Sequence, residues 1–490
     1  MTPGPALAAP SQRGAASVPL VVDLDGTLIR SDLLHEATVR LAFTQPGAIW
    51  AMPAWLLRGK AHFKAQVARR IGFQAANLPY EAALVDWIRS ERALGRPVIL
   101  CTASDVLHAH QVAHDAGLFD DVMASDGHTN LAGERKAAAL VARFGAGGFD
   151  YAGNSWADVP VWRAARHAIV VAAPAAVRAA AARVSTVERE FARPAAAALP
   201  TWLRALRVQQ WVKNLLLFLP LFGAHEFTNV PALLAVALAF VTFCLCASSV
   251  YLVNDMIDIE SDRRHARKRT RPFAAGALSI PHGLVASVLL VLSAFVIAFA
   301  GVNLEFVAWL AVYLALTTCY SFWLKRKMLV DSLVLAVLYT LRLLAGAAAA
   351  GIDAGFWLLA FSMFLFLSLA LVKRYSELKE TFMRGQARTP GRDYEVGDLP
   401  LVEMLGIVSG FSSVMVLAMY INGDTVARLY PHQQLIWLTV PVLLYWVSRI
   451  WLKAHRGELE DDPIVFALTD TISRVTIVLF FAALLLASMD

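Results

Sequence analysis

The stretch that decides the fold is residues 232–262, which read ALLAVALAFVTFCLCASSVYLV and then NDMIDIESD. The first 22 of these residues carry no charge. An α-helix rises about 1.5 Å per residue, so a run of this length crosses the roughly 30 Å hydrocarbon core of a bilayer. The stretch therefore predicts a transmembrane helix that delivers a cluster of carboxylates to the membrane surface.

Similar apolar runs recur through the second half of the chain and predict an all-α integral membrane bundle over residues 205–490. Hydrophobic residues make up 58% of the chain and charged residues 17%. A typical soluble protein has about 25% charged residues, so a single soluble domain is excluded. We expect about nine transmembrane helices, the first of them short, near 208–224, 232–253, 280–300, 303–323, 329–350, 355–373, 401–421, 432–452 and 471–489.

The loops between these runs predict the orientation of the chain. Every second loop is rich in Lys and Arg, whereas the alternate loops are short and poor in both. Basic loops stay on the cytoplasmic side of a membrane. We therefore expect an integral protein of a bacterial-type inner membrane, with the basic loops and the amino-terminal domain in the cytoplasm and Asp490 outside. The net charge of +6 is modest, and no nucleic-acid partner is expected.

The amino-terminal part of the chain has a different pattern. Residues 18–175 alternate strand-like and helix-like segments, which predicts a Rossmann-like α/β domain. Its strand-like segments are VPLVVDLD, PVILCTA, DDVMAS, FDYAGN and AIVVAA. We interpret residues 1–17 as a flexible tail, about 32–90 as a small helical cap, and the Ala- and Pro-rich stretch 176–204 as a helical linker.

Several predicted elements of this domain begin or end on residues suited to phosphate chemistry. Asp23 and Asp25 directly follow the first strand, where one carboxylate can act as nucleophile and the other as acid/base, with a cation between them. Thr102 ends the second strand and can hold a phosphoryl oxygen. Lys136 opens a helix and can offset negative charge, and GNSWAD follows the fourth strand at 153–158.

These segments resemble the haloacid dehalogenase (HAD) superfamily of phosphotransferases. The resemblance implies that Asp23 is the nucleophile and Asp25 the general acid/base. It also implies that Thr102 and Lys136 bind the phosphate, and that Asp158 lies near Mg²⁺ together with Asp23 and Asp25. Asn154 stands where the family usually has Asp, so less negative charge is available for Mg²⁺. Both an active phosphatase and a degenerate binding or regulatory domain are compatible with this pattern.

The predicted cap contains a short apolar segment, GAIWAMPAWLL, at residues 47–57. It is too short to cross a bilayer. Two interpretations stay open, namely packing inside the cap and anchoring at the membrane interface.

The acidic stretch after the first long apolar run has a spacing that suits a metal. At about 100° per residue, Asn254, Asp255, Asp258 and Asp262 fall on one face if the helix continues through them. Clustered carboxylates repel one another unless a cation lies among them, and Mg²⁺ prefers oxygen ligands and substrate phosphates. The stretch therefore predicts a Mg²⁺ site at the membrane boundary.

The same stretch resembles the first Asp-rich motif of the UbiA superfamily of membrane prenyltransferases, and further resemblance extends over most of 204–490. Its recognisable pieces are LRVQQWVKN, YLVNDMIDIESD, KRTRPFAAGAL, YSFWLK, LRLLAGAAA, KRYSELKE and DDPIVFALTD. The superfamily implies Mg²⁺-dependent cleavage of a diphosphate. The Tyr375-x-x-x-Lys379 arrangement, without a second D-x-x-x-D, is similar to the phosphoribosyl-transferring branch, that of the decaprenyl-phosphate phosphoribosyltransferases.

The resemblance implies transfer of 5-phosphoribosyl from phosphoribosyl pyrophosphate to a polyprenyl phosphate, with Asp258 among the catalytic residues. The metal ligands expected are Asn254, Asp255, Asp258 and Asp262, and the substrate-binding residues are Lys213, Asn214, Arg271, Arg342, Tyr375 and Lys379. The fused domain would then remove the 5-phosphate. Two alternatives are an aromatic prenyltransferase of quinone or haem biosynthesis and a non-catalytic transporter or scaffold with a phosphate-binding domain.

Overall fold

A computed structural model describes residues 18–192, 198–389, 392–423, 426, 430–459 and 463–489. The chain forms two compact units. The first comprises residues up to Ala205 together with Val253–Leu284, and the second comprises Leu206–Leu252 and Val285–Asp490. The predicted tail at 1–17 lies outside the described residues.

A six-stranded parallel sheet organises the first unit. Its strands are β1 (Leu20–Val22), β2 (Val98–Asp105), β3 (Asp121–Ser125), β4 (Asp150–Gly153), β5 (His167–Val171) and β6 (Thr186–Phe191), in the order β3-β2-β1-β4-β5-β6. The strand order reverses at β1, between β2 and β4. Ligands of such sheets bind beyond the carboxyl ends of the strands at this point, so the fold places the end of β1 at the expected site.

Helices join the strands of this sheet. They are α1 (Leu33–Thr44), α2 (Ala48–Leu57), α3 (Lys60–Ala68), α4 (Ala82–Ala93), α5 (Val106–Ala116), α6 (Glu134–Phe144), α7 (Val159–Ala164), α8 (Ala175–Val184) and, after the sheet, α9 (Ala198–Ala205). Apolar side chains fill the space on both faces of the sheet: Val22, Leu33 and Leu84 share one cluster, while Val21 and Trp162 belong to another. Helices α1–α4 lie where the sequence predicts a cap.

The expected helical linker at 176–204 is partly wrong, because the sheet continues into it. Strand β6 pairs in parallel with β5, from His167 opposite Thr186 to Val171 opposite Phe191. It is an edge strand with Glu188, Arg189 and Glu190, and charged side chains are common on exposed edges. These charges hide the apolar alternation by which a strand is usually predicted.

Helix α2 is apolar and only partly packed. Ala48, Met52 and Trp55 pack against the core of the first unit, whereas Trp50 is 87% exposed and Leu57 is 89% exposed. Packing inside the cap therefore accounts for one side of this helix only.

Eight helices among the described residues are long and apolar enough to cross a membrane. They are α11 (Val230–Ile257), α13 (Ile280–Gly301), α14 (Leu304–Phe322), α15 (Val330–Ala350), α16 (Phe356–Met383), α17 (Leu399–Ile421), α19 (Thr439–Arg456) and α21 (Thr471–Ser488). Shorter helices are α10 (Leu219–Gly223), α12 (Ile259–Arg264), α18 (Gln433–Ile436) and α20 (Pro463–Thr469). On α13, exposed apolar residues recur every three or four positions, as on a lipid-facing surface: Val285, Leu289, Leu292, Val296 and Phe299.

The expected first span at 208–224 is not one of these eight helices. It consists of a 3-10 helix, Val208–Phe218, followed by α10. Pro220 cannot donate a backbone hydrogen bond, and Lys213 shortens the uncharged run. The 3-10 helix packs closely on α15, where a Cβ atom added to Gly346 would lie 2.0 Å from the carbonyl oxygen of Leu217. Glycine is therefore required at this crossing.

Candidate functional site

The carboxyl end of β1 carries two carboxylates with different partners. Asp23 accepts a hydrogen bond from Lys136 Nζ at 2.7 Å. Asp25 accepts from the backbone amide of Leu33 at 2.9 Å and from Ser104 Oγ at 2.6 Å. The chain turns sharply after them at Gly26, whose φ is +77°. A cavity of about 1010 Å³ opens here, lined by Asp23, Asp25, Lys136, Asn154 and Asp158 among others.

A buried chain of hydrogen bonds positions Lys136. Its ammonium also donates to Tyr151 Oη at 2.8 Å, and Tyr151 donates to Asp158 Oδ1 at 2.7 Å. Lys136 is 3% exposed and Asp158 is 2% exposed. This chain holds one positive charge against the Asp23 carboxylate, where a phosphate dianion would need it.

Burial sets the proton affinities of the two carboxylates. Desolvation raises the pKa of Asp23 to about 6; the negative charge of Asp158 adds to this rise and Lys136 opposes it. Desolvation and the charge of Asp32 raise the pKa of Asp25 to about 7, against the hydrogen bonds from Ser104 and Leu33. The two carboxylates therefore differ, since a pKa of about 6 favours the ionised form of Asp23 at neutral pH and a pKa of about 7 lets Asp25 both give and take a proton.

Asp158 serves chiefly to hold the loop after β4. Its Oδ2 accepts from the amide of Asn154 at 3.0 Å, and from the amide and hydroxyl of Ser155 at 2.9 Å each. The side chain of Asn154 comes so close to Gly26 that an added Cβ would lie 2.2 Å from its Nδ2. Oxygens of Asp23, Asp25 and Asn154 form a donor set that suits Mg²⁺, with less negative charge than three carboxylates offer.

The structure places the one residue predicted at the second strand away from the cavity and brings two others to it. Thr102 is fully buried, accepts a hydrogen bond from the amide of Ser104, and does not line the cavity. Ser104 lines it instead and binds Asp25. Lys64 from α3 also lines the cavity, donating to the carbonyl of Ala103 at 2.6 Å and to Asn130 Oδ1 at 2.8 Å. The TAS triplet at 102–104 is a signal for Ser104, but nothing in the sequence pattern singles out Lys64.

The Asp-rich segment lies in the same unit. Helix α11 ends at Ile257 and α12 begins at Ile259, so the helix is interrupted at Asp258. Helical i to i−4 hydrogen bonds still pass through this point, from the amide of Asp258 to the carbonyl of Asn254 at 2.9 Å and from the amide of Asp262 to the carbonyl of Asp258 at 2.8 Å, so the turn on which a shared face depends is kept. Arg271 joins two of the carboxylates, because its Nη1 donates to Asp255 Oδ1 at 3.1 Å and to Asp262 Oδ2 at 2.7 Å.

The Asp-rich carboxylates have the ligand chemistry of a cation site, although Asp255, Asp258 and Asp262 do not bring three ligand oxygens within 4.8 Å of one another. Asp255 and Asp262 are each 2% exposed. Burial, together with the charges of Asp255 and Asp258, raises the pKa of Asp262 in spite of Arg271. The side chains of Asn254, Asp255, Asp258 and Asp262 offer only hard oxygen ligands, which fits Mg²⁺. Arg271 brings a positive charge to this place, and its role as a diphosphate contact stays a prediction.

Two ion pairs tie the Asp-rich segment to helix α1 of the sheet domain. Arg263 binds both carboxylate oxygens of Glu36, at 2.8 and 2.7 Å, and both side chains are 6% exposed. Arg40 pairs with Glu260. Glu260 is thus turned toward α1.

Three predicted substrate-binding residues meet in the second unit. Arg342 donates from Nε to Asn214 Oδ1 at 2.9 Å and lies over the rings of Tyr313 and Tyr339. Lys213 Nζ is 5.8 Å from the Tyr339 ring centroid. Lys213, Asn214 and Arg342 are all buried. The intramembrane arginine therefore has an amide partner and two aromatic faces, which explains how it is accommodated.

Tyr375 and its neighbours make different contacts. The Tyr375 hydroxyl is 3.2 Å from His455 Nδ1, and Lys379 lies beside Gly457. The adjacent Arg374 is 1% exposed and pairs with Asp331 at 2.5 Å and with Glu377. Asp331 also accepts from Tyr394 at 2.6 Å. This buried network was missed by sequence reasoning, although the charged pattern at 373–379 is a signal for it.

Comparisons with known proteins agree with this architecture. Residues 215–472 match the model of the UbiA prenyltransferase family. An uncharacterised protein, y4nM, of Sinorhizobium fredii is 37% identical over 462 residues, which are 93% of this chain and 88% of that protein. The chain belongs to the UbiA prenyltransferase family. It is accordingly an integral membrane protein, and the sheet domain lies outside the family's match.

Two further relatives are informative. The nodulation protein NoeC of Azorhizobium caulinodans is 36% identical over 281 residues, covering 56% of this chain and 90% of that protein. The decaprenyl-phosphate phosphoribosyltransferase of Corynebacterium glutamicum is 42% identical over 181 residues, 36% of this chain and 54% of that enzyme. The chain thus spans about half of that enzyme's length.

We expect Asp25→Asn to stabilise the first unit more at pH 8 than at pH 5. The folded pKa of about 7 exceeds the ordinary value of 3.8. The folded state therefore keeps a proton that the unfolded state has lost, and the free energy of unfolding falls as the pH rises from about 4 to about 7. The neutral amide of the Asn variant removes this pH dependence of the free energy of unfolding.

Thermal unfolding of purified protein with a chelator present, at both pH values, measures the effect. Asp86→Asn, at an exposed carboxylate on α4, is the control. An equal change in midpoint for Asp25→Asn at pH 5 and pH 8 would contradict the expectation.

Proposed function

We propose that this UbiA-family protein transfers 5-phosphoribosyl from phosphoribosyl pyrophosphate to a polyprenyl phosphate, and that its sheet domain is a HAD-type phosphatase acting on the product. The observation that carries the transferase step is the buried pair Asp255–Asp262 held by Arg271. The similarity to a decaprenyl-phosphate phosphoribosyltransferase supports this choice of donor and acceptor.

The transfer exchanges one bond at the anomeric carbon of the ribose. A phosphate oxygen of the lipid forms the new C–O bond, the bond to pyrophosphate breaks, and pyrophosphate leaves with the electron pair. Asn254, Asp255, Asp258 and Asp262 would hold Mg²⁺, which when bound offsets the charge of pyrophosphate. Arg271 supplies a positive charge in the same segment, and Lys213, Tyr375 and Lys379 are proposed to contact substrate phosphates.

The phosphatase step uses the carboxylates after β1. Asp23 attacks phosphorus, the P–O ester bond breaks, and Asp25 gives its proton to the departing ribose oxygen. Asp25 then takes a proton from water, whose oxygen attacks the aspartyl phosphate and releases inorganic phosphate and Asp23. Lys136, 2.7 Å from Asp23, offsets the charge of the phosphoryl group throughout. Mg²⁺ held by Asp23, Asp25 and Asn154 would add positive charge next to that of Lys136.

We expect Asp262→Asn to lower transfer of ribose label into lipid by about a hundredfold or more, because a buried charge for the metal and the diphosphate is lost. The assay uses purified full-length protein in detergent, Mg²⁺, a polyprenyl phosphate and ribose-labelled phosphoribosyl pyrophosphate, followed by lipid extraction and thin-layer separation.

Glu260→Gln is the matched control, because Glu260 lies on the same short helix and faces α1. It should keep most of the transfer. The proposal is wrong if the wild-type protein puts no ribose label into lipid but alkylates an aromatic acceptor with a prenyl diphosphate. That pair of results would identify the aromatic branch.

In the same assay, Asp23→Asn should leave label in lipid but shift it from the dephosphorylated to the phosphorylated ribosyl form, because the nucleophile for ester cleavage is gone. The control Asp86→Asn should give the wild-type product. An identical product pattern for Asp23→Asn and wild type would show that the sheet domain does not process this lipid.

The division into units also supports a cytoplasmic location for the sheet domain. The chain leaves the first unit at Ala205 and returns to it at Val253. We infer that both parts of this compact unit lie on one side of the bilayer and that the intervening residues cross it twice. Helix α11 provides one membrane crossing, and we assign the other to residues 208–223. The 3-10 helix rises about 2.0 Å per residue, so it and α10 together reach about 30 Å.

This topology predicts the labelling of single cysteines by a membrane-impermeant maleimide in intact cells. In a background without the four native cysteines, Arg89→Cys and Arg267→Cys should be protected and Glu226→Cys should react. Opposite results for Arg89→Cys and Arg267→Cys would place the two parts of the first unit on different sides and contradict the second crossing.

A further inference from the structure

The cavity at the phosphatase site has two chemically different walls. The carboxyl edge of the sheet supplies Asp23, Asp25 and Lys136. Other lining residues come from the segment after the Asp-rich motif, and they include the apolar Phe273, Leu278, Ile280 and Pro281. All of these residues belong to the first unit. A free sugar phosphate has little apolar surface to match such a wall.

The apolar wall is held firmly against the sheet domain. Arg263, paired with Glu36, also donates from Nε to the carbonyl of Ala274 at 2.9 Å. Gly276 has a φ of +68°, and an added Cβ would lie 2.7 Å from Cβ of Arg30. A buried bidentate ion pair and a close glycine contact therefore fix the position of the wall.

The wall ends at the start of a membrane-capable helix. Ile280 and Pro281 line the cavity and are the first two residues of α13, which is long and apolar enough to cross the bilayer. The phosphate end of the cavity thus faces the start of a membrane helix. An acyl or prenyl chain can lie along this surface, since it would otherwise remain in the bilayer.

A second element of the first unit also fits a membrane surface. Helix α2 exposes Ile49, Trp50, Leu56 and Leu57. Trp is favoured at the boundary between hydrocarbon and water, where its ring is both apolar and a hydrogen-bond donor. Arg58 and Lys60 follow directly and suit anionic headgroups.

We propose that the phosphatase site is specific for a phosphomonoester carried on a membrane lipid, and that the apolar wall at 273–281 selects it. This inference rests on the proposed phosphatase function. The bond that breaks is the P–O ester of the lipid-linked headgroup, water supplies the oxygen of the released phosphate, and the lipid keeps the hydroxyl. Leu278 and Ala277 are specificity-determining residues in this proposal.

The test compares synthetic farnesylphosphoryl-ribose 5-phosphate with ribose 5-phosphate as substrates of the purified full-length protein in detergent with Mg²⁺. Both probes are independent of the transferase step. Phosphate release should have a kcat/KM at least about tenfold higher for the lipid-linked substrate, which corresponds to burial of about one large apolar group.

Leu278→Asp should lower this specificity ratio about tenfold, because covering the wall with the prenyl chain would then bury a charged carboxylate. Ala277→Asp makes the same change at an exposed residue, where folding is not at risk. Leu94→Asp, at a residue that is 83% exposed and outside the cavity lining, is the control and should leave the ratio as in wild type.

Equal kcat/KM for both substrates, or a ratio unaffected by both wall variants, would overturn the inference while leaving the phosphatase intact. No phosphate release from either substrate by protein that still transfers ribose label to lipid would refute the phosphatase function itself, and the inference with it.

Discussion

The buried ion pair between Glu36 and Arg263 is the interaction on which the first unit depends. The two residues are 227 positions apart in the chain, and each side chain is 6% exposed. Removing one partner of such a pair leaves an uncompensated buried charge, which costs about 3–5 kcal/mol. The pair joins a segment between two membrane-capable helices to a sheet domain that precedes them in the chain, and both belong to one compact unit.

The two proposed reactions place similar demands on these residues. Each handles a phosphate that carries several negative charges, and each site sets a basic side chain against buried carboxylates, Lys136 beside Asp23 and Arg271 between Asp255 and Asp262. Asp23, Lys136, Asp255 and Asp262 are buried, which strengthens their electrostatic interactions. The difference lies in the nucleophile. The sheet domain supplies Asp23 from the protein, whereas the transferase reaction takes its nucleophile from the lipid phosphate.

The sequence predicted those elements whose signal is local. Long uncharged runs predicted about nine membrane helices, of which eight are found among the described residues, and the residues directly after β1 and at the start of α6 predicted the cavity carboxylates and Lys136. It misplaced the features that depend on neighbours distant in the chain. Thr102 and Ser104 both carry hydroxyls at the end of β2, and only the packing of the sheet decides that Thr102 is buried and Ser104 faces the cavity. Part of the expected linker forms strand β6 because it pairs with the free edge of β5. No local sequence pattern predicts this pairing.

By itself, the sequence determined that the chain is a membrane protein with carboxylates at a helix end and an α/β domain in front, because hydrophobic length and strand periodicity are properties of contiguous residues. The tertiary structure decided how those parts are joined. The pairing of Arg263 with Glu36, the convergence of Arg271 on Asp255 and Asp262, and the apolar wall that faces Asp23 all bring together residues separated along the chain. Such contacts arise from the mutual burial of charges and apolar surfaces, and burial is a property of the folded molecule.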